Sequence, residues 1–330
     1  MTETSYHPRR MAPAGAEDAP LPFEPSGPVM APPSTGTVPA IAPAPVPVAE
    51  PTPPRAPVPA APPLPRAVKL SRATPLGELK AEWIKLWSLP STWWVLAATV
   101  VVTTLIGVGI AVSLQMVMSK PDMMPTGTIP PGTVFSATDA GAAMQFGQMI
   151  VSILAVMFIA NEYASGQIRS TLIAVPRRLS MLVSKAVIIA VVTFVVTWLA
   201  AVGAILAGWP FLQSFAVDDR FTLAAAKHVA GMALATTLVA LFALGVGFLV
   251  RNAAAGIGIV LALLFVVQFV AVGMSGWSWV GTVHAYLIDS CQIGLYQTGG
   301  FDFVKSLWVT GLWAFVPLAL AGILLKARDA

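Results

Sequence analysis

Charged residues are scarce in this chain. Only 10% of its 330 residues are Asp, Glu, Lys or Arg, whereas 56% are hydrophobic. Soluble globular proteins usually carry about 25% charged residues. The deficit indicates that lipid acts as the solvent for much of the surface. The composition therefore predicts a multi-pass protein of the cell (inner or plasma) membrane, with the lipid bilayer as a partner.

Cysteine and the common catalytic motifs are also missing or nearly so. Cys291 is the single cysteine, which excludes an intrachain disulfide and a cysteine metal cluster. A Walker A motif needs Gly-Lys followed by Ser or Thr, and no lysine here directly follows a glycine. The strings H-E-x-x-H and G-x-S-x-G are absent too. We therefore expect no cofactor, no metal and no enzymatic activity in this chain.

The N-terminal segment does not predict a secretory signal, because it opens Met1-Thr2-Glu3-Thr4, turns proline-rich and contains no apolar stretch that could serve as the hydrophobic region of a signal peptide. Residues 1–73 are instead rich in proline and alanine, with most of the chain's prolines before residue 66. Proline fixes φ and donates no hydrogen bond, so this segment is predicted to be a disordered cytoplasmic tail. A docking arm for a proline-binding partner is the alternative interpretation.

A helix-start signal follows the tail at Thr74-Pro75, which combines a hydroxyl cap with proline at the first helical position. Apolar residues then recur at spacings of three and four, at Leu76, Leu79, Trp83, Leu86 and Trp87. Glu78, Glu82 and Lys85 fall largely on another face. The pattern predicts an amphipathic helix in the membrane interface, ended by Pro90, with Ser91 or Thr92 capping the next helix.

The rest of the chain predicts an all-α membrane domain, residues 74–330, with six transmembrane helices. Each apolar segment reaches the roughly 20 residues that cross the hydrocarbon core. The predicted spans are residues 93–117, 142–160, 181–206, 223–249, 253–272 and 306–325.

The distribution of Lys and Arg predicts the orientation. One side of the predicted topology carries Arg66, Lys69, Arg72, Lys80, Lys85, Arg169, Arg177, Arg178, Lys185, Arg251, Lys326 and Arg328. The other side has only Lys120, Arg220, Lys227 and Lys305. The positive-inside rule places both termini in the cytoplasm, as an even number of spans requires. Because the basic residues flank the spans, the net charge of +4 does not indicate a nucleic-acid partner.

Ionisable residues are almost absent from the middle of the predicted spans. Lys185 and Lys227 lie near span ends, where long side chains can snorkel to the interface. Gln268 is the notable polar residue deep in a span, and it either contacts a substrate or forms an interhelical hydrogen bond. No site for a coupling proton or sodium ion is visible. Uphill transport would therefore need energy from a separate ATPase subunit.

A membrane-embedded serine hydrolase is one alternative. Gly273-Met274-Ser275-Gly276 fits the G-x-S-G string of rhomboid proteases, and His284 follows nearby. A serine nucleophile needs a histidine base within hydrogen-bond reach. Here both residues fall in one segment outside the spans, and glycine and serine are ordinary at a helix exit. A non-transporting membrane anchor or immunity factor that works through the proline-rich tail is a further alternative.

The most informative segment connects the second and third predicted spans, from Asn161 to Arg178, and reads NEYASGQIRSTLIAVPRR. It begins with an acidic residue, breaks at Gly166, continues as a short amphipathic turn and stops at Pro176. Such a charged element between two spans can transmit force from a cytoplasmic partner to the membrane domain.

This segment resembles the loop of ABC-2 type transporter permeases, in which E-Y, a small-residue turn, I-R-x-T-L and P-R-R recur in order. The earlier strings Glu82-Trp83-Ile84-Lys85-Leu86 and Ser91-Thr92-Trp93-Trp94 resemble the E-W-x-K-L and S-T-W-W strings of the same family. The resemblance runs from about residue 75 to the C-terminus, and Asn161 and Gln167 depart from the family's pattern.

The resemblance implies the permease subunit of an ABC exporter. Such a permease pairs as a homodimer or heterodimer, binds two cytoplasmic ATPase subunits and moves its substrate outward. The coupling residues implied by the family are Glu162, Tyr163, Gly166, Ile168, Arg169 and Thr171. Glu82, Trp83 and Lys85 would belong to the interface helix that also touches the ATPase. Gln268 is the candidate for a substrate path, and the apolar spans predict a hydrophobic or amphipathic substrate.

Overall fold

The computed structural model describes residues 74–120, 134–168, 178–274, 276–297 and 301–327. These residues are helical apart from turns, short connections and one isolated backbone bridge between Ser136 and Val217. The predicted disordered tail, residues 1–73, lies outside them.

The N-terminal helix α1, Pro75–Ser88, begins where the sequence predicts. The Thr74 side chain accepts a hydrogen bond from the Gly77 amide at 3.2 Å, and Pro75 occupies the first turn. The next helix, α2, is Pro90–Ser119, and its N-terminal residue is Pro90 itself. The predicted cap at Ser91 or Thr92 is therefore wrong, because proline needs no amide partner in the first turn.

The six predicted spans are confirmed as helices long and apolar enough to cross a membrane. Within the described residues these helices are Pro90–Ser119, Ala137–Ala164, Leu179–Leu212, Leu223–Val250, Ala253–Gly273 and Phe303–Ala327. Each contains or closely overlaps the predicted span, and most extend it by a few residues at the ends. In the part of the chain that the structure describes, the regular elements are all helices, and the six long apolar ones are those of a multi-pass membrane protein.

Labels for the remaining helices follow chain order. The second span consists of a 3-10 segment, Ala137–Ala143, and α3, Met144–Ala164. The third and fourth are α4, Arg178–Leu212, and α5, Leu223–Val250. The fifth contains α6, Ala253–Leu261, a π-helical turn, Ala262–Val266, and α7, Val267–Gly273. Two short helices, α8 (Ser278–Ala285) and α9 (Ile288–Cys291), and a 3-10 turn, Ile293–Leu295, precede α10, Phe303–Ala327.

Helix α5 forms the centre of the bundle, with 83% of its apolar window buried, more than in any other span. It packs against α3, α4 and α10. Small residues allow this close packing, because a Cβ atom at Gly245 would lie 2.8 Å from Pro317 Cβ of α10. A Cβ atom at Gly247 would lie 2.7 Å from Ile159 of α3. Glycine therefore lets the three helices approach without lipid between them.

Candidate functional site

A buried cluster of four charged side chains joins α1, α3 and α4. We call Glu82, Lys85, Glu162 and Lys185 the charge cluster. Lys185 Nζ lies 2.5 Å from Glu82 Oε2 and 2.8 Å from Glu162 Oε1. Lys85 Nζ lies 2.8 Å from Glu82 Oε1 and 3.1 Å from Glu162 Oε1. Two lysines and two glutamates thus form a neutral, interlocked set of ion pairs.

Burial makes this cluster costly to break. Lys185 is fully buried, and Glu82 and Glu162 are only 3% and 5% exposed. Lys185 Nζ also lies 4.3 Å from the centre of the Phe158 ring, which adds a cation–π contact. A charge held in such surroundings is tolerated only when it is paired and hydrogen-bonded. The carboxylates therefore depend on Lys185 for their place in the core.

Lys85 occupies the rim of the cluster, with its side chain 36% exposed. Partial burial by itself lowers the pKa of this lysine, but hydrogen bonds and charges from Glu82 and Glu162 outweigh it. The net effect raises the pKa of Lys85 above its ordinary value, so the side chain is charged throughout the physiological pH range.

The structure brings together residues of the two motifs that the sequence keeps apart. Lys85 and Glu162 are separated by 77 positions along the chain but are directly hydrogen-bonded. Glu82 reaches Glu162 through Lys185, which contacts both. Trp83, by contrast, is 44% exposed and makes an edge contact with the Trp87 ring.

The burial of α1 differs from the predicted amphipathic pattern. Its buried residues are Glu78, Glu82 and Leu86, whereas Leu76 is 78% exposed. The acidic residues Glu78 and Glu82 therefore pack inward beside Leu86, whereas Leu76, Trp83 and Ile84 are exposed. The prediction that Lys185 snorkels from a span end is also wrong. Lys185 is buried because it pairs with Glu82 and Glu162, and the location of α1 in the membrane interface stays a prediction.

The segment after α3 turns sharply at Gly166. Helix α3 ends at Ala164, and Gly166 has φ of +72°, a left-handed conformation that favours glycine. The turn directs Ile168 into the main hydrophobic core, where it is 8% exposed. The predicted break at Gly166 is confirmed. The predicted coupling residues Arg169 and Thr171 lie outside the described residues.

Tyr163 contacts the neighbouring helix end rather than the charge cluster. The Arg251 guanidinium lies 5.3 Å from the centre of the Tyr163 ring. Arg251 ends α5 in a left-handed conformation with φ of 58°, and Asn252 caps α6 by accepting a hydrogen bond from Ala255. The cation–π contact thus joins the end of the second span to the short turn between the fourth and fifth.

Gln268 forms an interhelical hydrogen bond, which is one of the two roles that the sequence predicts for it. Its side chain lies 3.4 Å from Ser290 Oγ of α9. The His284 ring lies 3.3 Å from the same hydroxyl through Nε2. Ser275, the candidate nucleophile of the hydrolase alternative, lies outside the described residues.

Comparisons with known proteins add no relative, since no family model matches the chain and no curated protein matches it.

Proposed function

We propose that this chain is the permease subunit of an ATP-driven exporter of the ABC-2 type. In this proposal two permease chains, identical or different, bind two copies of a separate cytoplasmic ATPase and move a hydrophobic or amphipathic substrate outward. The observation that carries the proposal is the sharing of Lys185 by Glu82 and Glu162. The acidic residues of the two family-like motifs thereby become parts of one rigid element.

The charge cluster suits a force-transmitting role. It connects α1, the end of α3 and the first turns of α4, so a push on the segment between α3 and α4 moves all three helices together. The turn at Gly166 and the anchoring of Ile168 in the core tie the first residues after α3 to the bundle. Stiffness matters because a flexible loop would absorb the displacement instead of passing it on.

Charge distribution supports the orientation in this proposal. Lys85, Lys185 and Arg251 belong to helix ends that lie on one side of the alternating six-span bundle, together with Lys326 at the last turn of α10. The positive-inside rule assigns this side to the cytoplasm. Both termini would then be cytoplasmic, in the cell membrane, where an ATPase can reach the segment.

Affinity capture of the tagged protein from native membranes, in a mild detergent, tests the proposal. The wild-type protein is expected to retain an ATP-binding subunit, with one ATPase chain for each permease chain. The double variant Arg169→Ala, Thr171→Ala is expected to lose it, because both residues belong to the proposed contact segment. Lys120→Ala, which removes one charge from an exposed position at the opposite end of α2, serves as the matched control.

Gel filtration must show that all three proteins remain monodisperse, so that loss of the ATPase is not loss of folding. Absence of an ATP-binding subunit from wild type would remove the energy source and contradict the exporter proposal. Retention by the double variant would instead contradict the placement of the contact.

A further inference from the structure

A second, partly buried polar cluster lies at the other end of α3. It consists of Gln145, Gln148, Asp289 and Gln292, which we call the amide cluster. Gln145 and Glu162 are 17 positions apart in one helix, a separation of about 25 Å at 1.5 Å per residue. The amide cluster is therefore distinct from the charge cluster and from the proposed ATPase contact.

Three side-chain amides converge on one carboxylate oxygen. Asp289 Oδ1 accepts hydrogen bonds from Nε2 of Gln145, of Gln148 at 3.3 Å and of Gln292 at 3.1 Å. Gln148 and Gln292 are 2% and 1% exposed. Because each amide directs its nitrogen toward Asp289, its carbonyl oxygen faces elsewhere. The cluster thus presents acceptors to its surroundings.

A cavity of about 230 Å³ adjoins this cluster, between α3, α5 and the segment after α9. Gln145, Gln148 and Gln292 line it, together with Thr236, Tyr296 and Gln297. Gln292 Oε1 is buried and has no hydrogen-bond partner among the described residues. A buried carbonyl oxygen without a partner is costly, and here it belongs to the wall of a polar cavity.

In the described part of the chain no lysine or arginine forms an ion pair with Asp289. Burial raises the pKa of Asp289 and outweighs the three amide donors and the nearby His284 imidazole, which lower it. Burial and the charge of Asp289 together raise the pKa of Tyr296 to about 12. The cavity therefore has hydrogen-bond acceptors in its wall and the Asp289 carboxylate directly behind three of its lining amides, but it lacks a cation among the described residues that line it.

We propose that this cavity binds a small molecule or headgroup through a primary ammonium group. The ammonium would donate hydrogen bonds to Gln292 Oε1 and neighbouring amide oxygens and would neutralise Asp289. A quaternary ammonium has no N–H to donate and prefers an aromatic cage, so the site discriminates against it. The cavity is smaller than the roughly 300–1,000 Å³ typical of drug-sized ligands, which limits the occupant to a few heavy atoms around the ammonium.

Ethanolamine is the probe for isothermal titration calorimetry with the full-length protein in phosphatidylcholine nanodiscs. Choline and ethylene glycol, at matched ionic strength, test the need for N–H donors and for positive charge. We expect saturable binding of ethanolamine and at least tenfold weaker binding of both analogues. Binding should weaken at least tenfold in Asp289→Asn and in Gln292→Leu, and should be unchanged in Gln213→Leu, an exposed glutamine.

Two sources can supply the ammonium, and a second set of nanodiscs distinguishes them. Weaker ethanolamine binding in the presence of phosphatidylethanolamine would assign the site to a lipid headgroup, whereas unchanged binding would assign it to a free amine. Absence of saturable binding by folded wild type, or equal binding of ethylene glycol, would overturn the proposal. Because the readout is binding, this result is independent of whether an ATPase partner is found.

Discussion

Lys185 holds two carboxylates of different helices at 2.5 and 2.8 Å while its own side chain is fully buried. Replacing one partner of such a set leaves an unpaired buried charge, whereas replacing several together does not. The stability of the bundle at this end therefore depends on a single residue that hydropathy analysis assigns to a span end.

Substitution Lys185→Met should destabilise the folded protein by about 3–5 kcal/mol, the usual cost of removing one partner from a buried ion pair. The triple variant that adds Glu82→Gln and Glu162→Gln should recover part of this loss, because the one charge left in the cluster, on Lys85, has a 36% exposed side chain that water can reach. Unfolding in a detergent–denaturant titration measures both. Lys227→Met, at an exposed position, is the control, and equal stabilities of the Lys185 and Lys227 variants would refute the structural role.

Asp289 should make stability depend on pH in the acidic range. Its pKa is raised above 3.8 in the folded state, so the folded protein binds a proton more tightly than the unfolded chain. This contribution is fully present below about pH 3.8 and is lost as pH rises through the raised pKa. Thermal unfolding of wild type relative to Asp289→Asn, between pH 4 and 8, should show wild type gaining stability as pH falls. A pH-independent difference would contradict the assignment.

Among the helices and their connections, the turn after α3 depends on one backbone conformation. Gly166 has φ of +72°, and a Cβ atom at this position would have no atom within 4 Å. A Cβ atom at Gly109 in α2 would likewise meet open space, but Gly109 lies inside a helix and its φ is not positive. Because neither position is crowded, a comparison of alanine substitutions at the two glycines isolates the effect of the positive φ at Gly166.

Gly166→Ala should lower the free energy of unfolding by about 1–2 kcal/mol, because an L-residue is strained in the left-handed region. Gly109→Ala should instead raise the free energy of unfolding by about 0.5–1 kcal/mol, because alanine loses less backbone entropy than glycine when a helix forms. Differential unfolding of the two purified variants tests the pair. If Gly166→Ala left the free energy of unfolding unchanged, the chain after α3 would tolerate another turn, which would argue against its proposed role in transmitting force.

The six-helix bundle as a unit has its core around α5, and α1 is part of it through Leu86, which is fully buried. The charge cluster and the amide cluster occupy opposite ends of α3. This separation gives the exporter proposal and the ammonium-site proposal independent structural foundations.

Deletion of residues 2–66 should leave membrane insertion, thermal stability and ATPase capture unchanged, because the bundle and its charge cluster begin after the tail. The experiment compares deleted and full-length protein in the same capture assay. Loss of function with the ATPase still bound would favour the anchor interpretation, in which the proline-rich tail is the working part. Loss of the ATPase itself would show that the tail contributes to the contact.

The six helical spans, the start of α1 at Thr74 and the break at Gly166 could all be predicted from the amino-acid sequence. Each depends on local information: lengths of apolar runs, a capping hydroxyl before proline, and a glycine that can adopt positive φ. The sequence also indicated two separate family-like motifs, but not that they touch. Glu82 and Glu162 were recognisable as motif residues, whereas Lys185 was misassigned.

The pairing of the polar residues, by contrast, followed from the packing of the helices in three dimensions. One of the two lysine partners of Glu82 is Lys185, 103 positions away, and two of the partners of Asp289 lie more than 140 positions away in α3. A helical pattern shows which residues share a face, but not which neighbouring helix that face meets. Glu82 of α1 and Gln148 of α3 are therefore buried, because packing supplies the partners that water would otherwise provide.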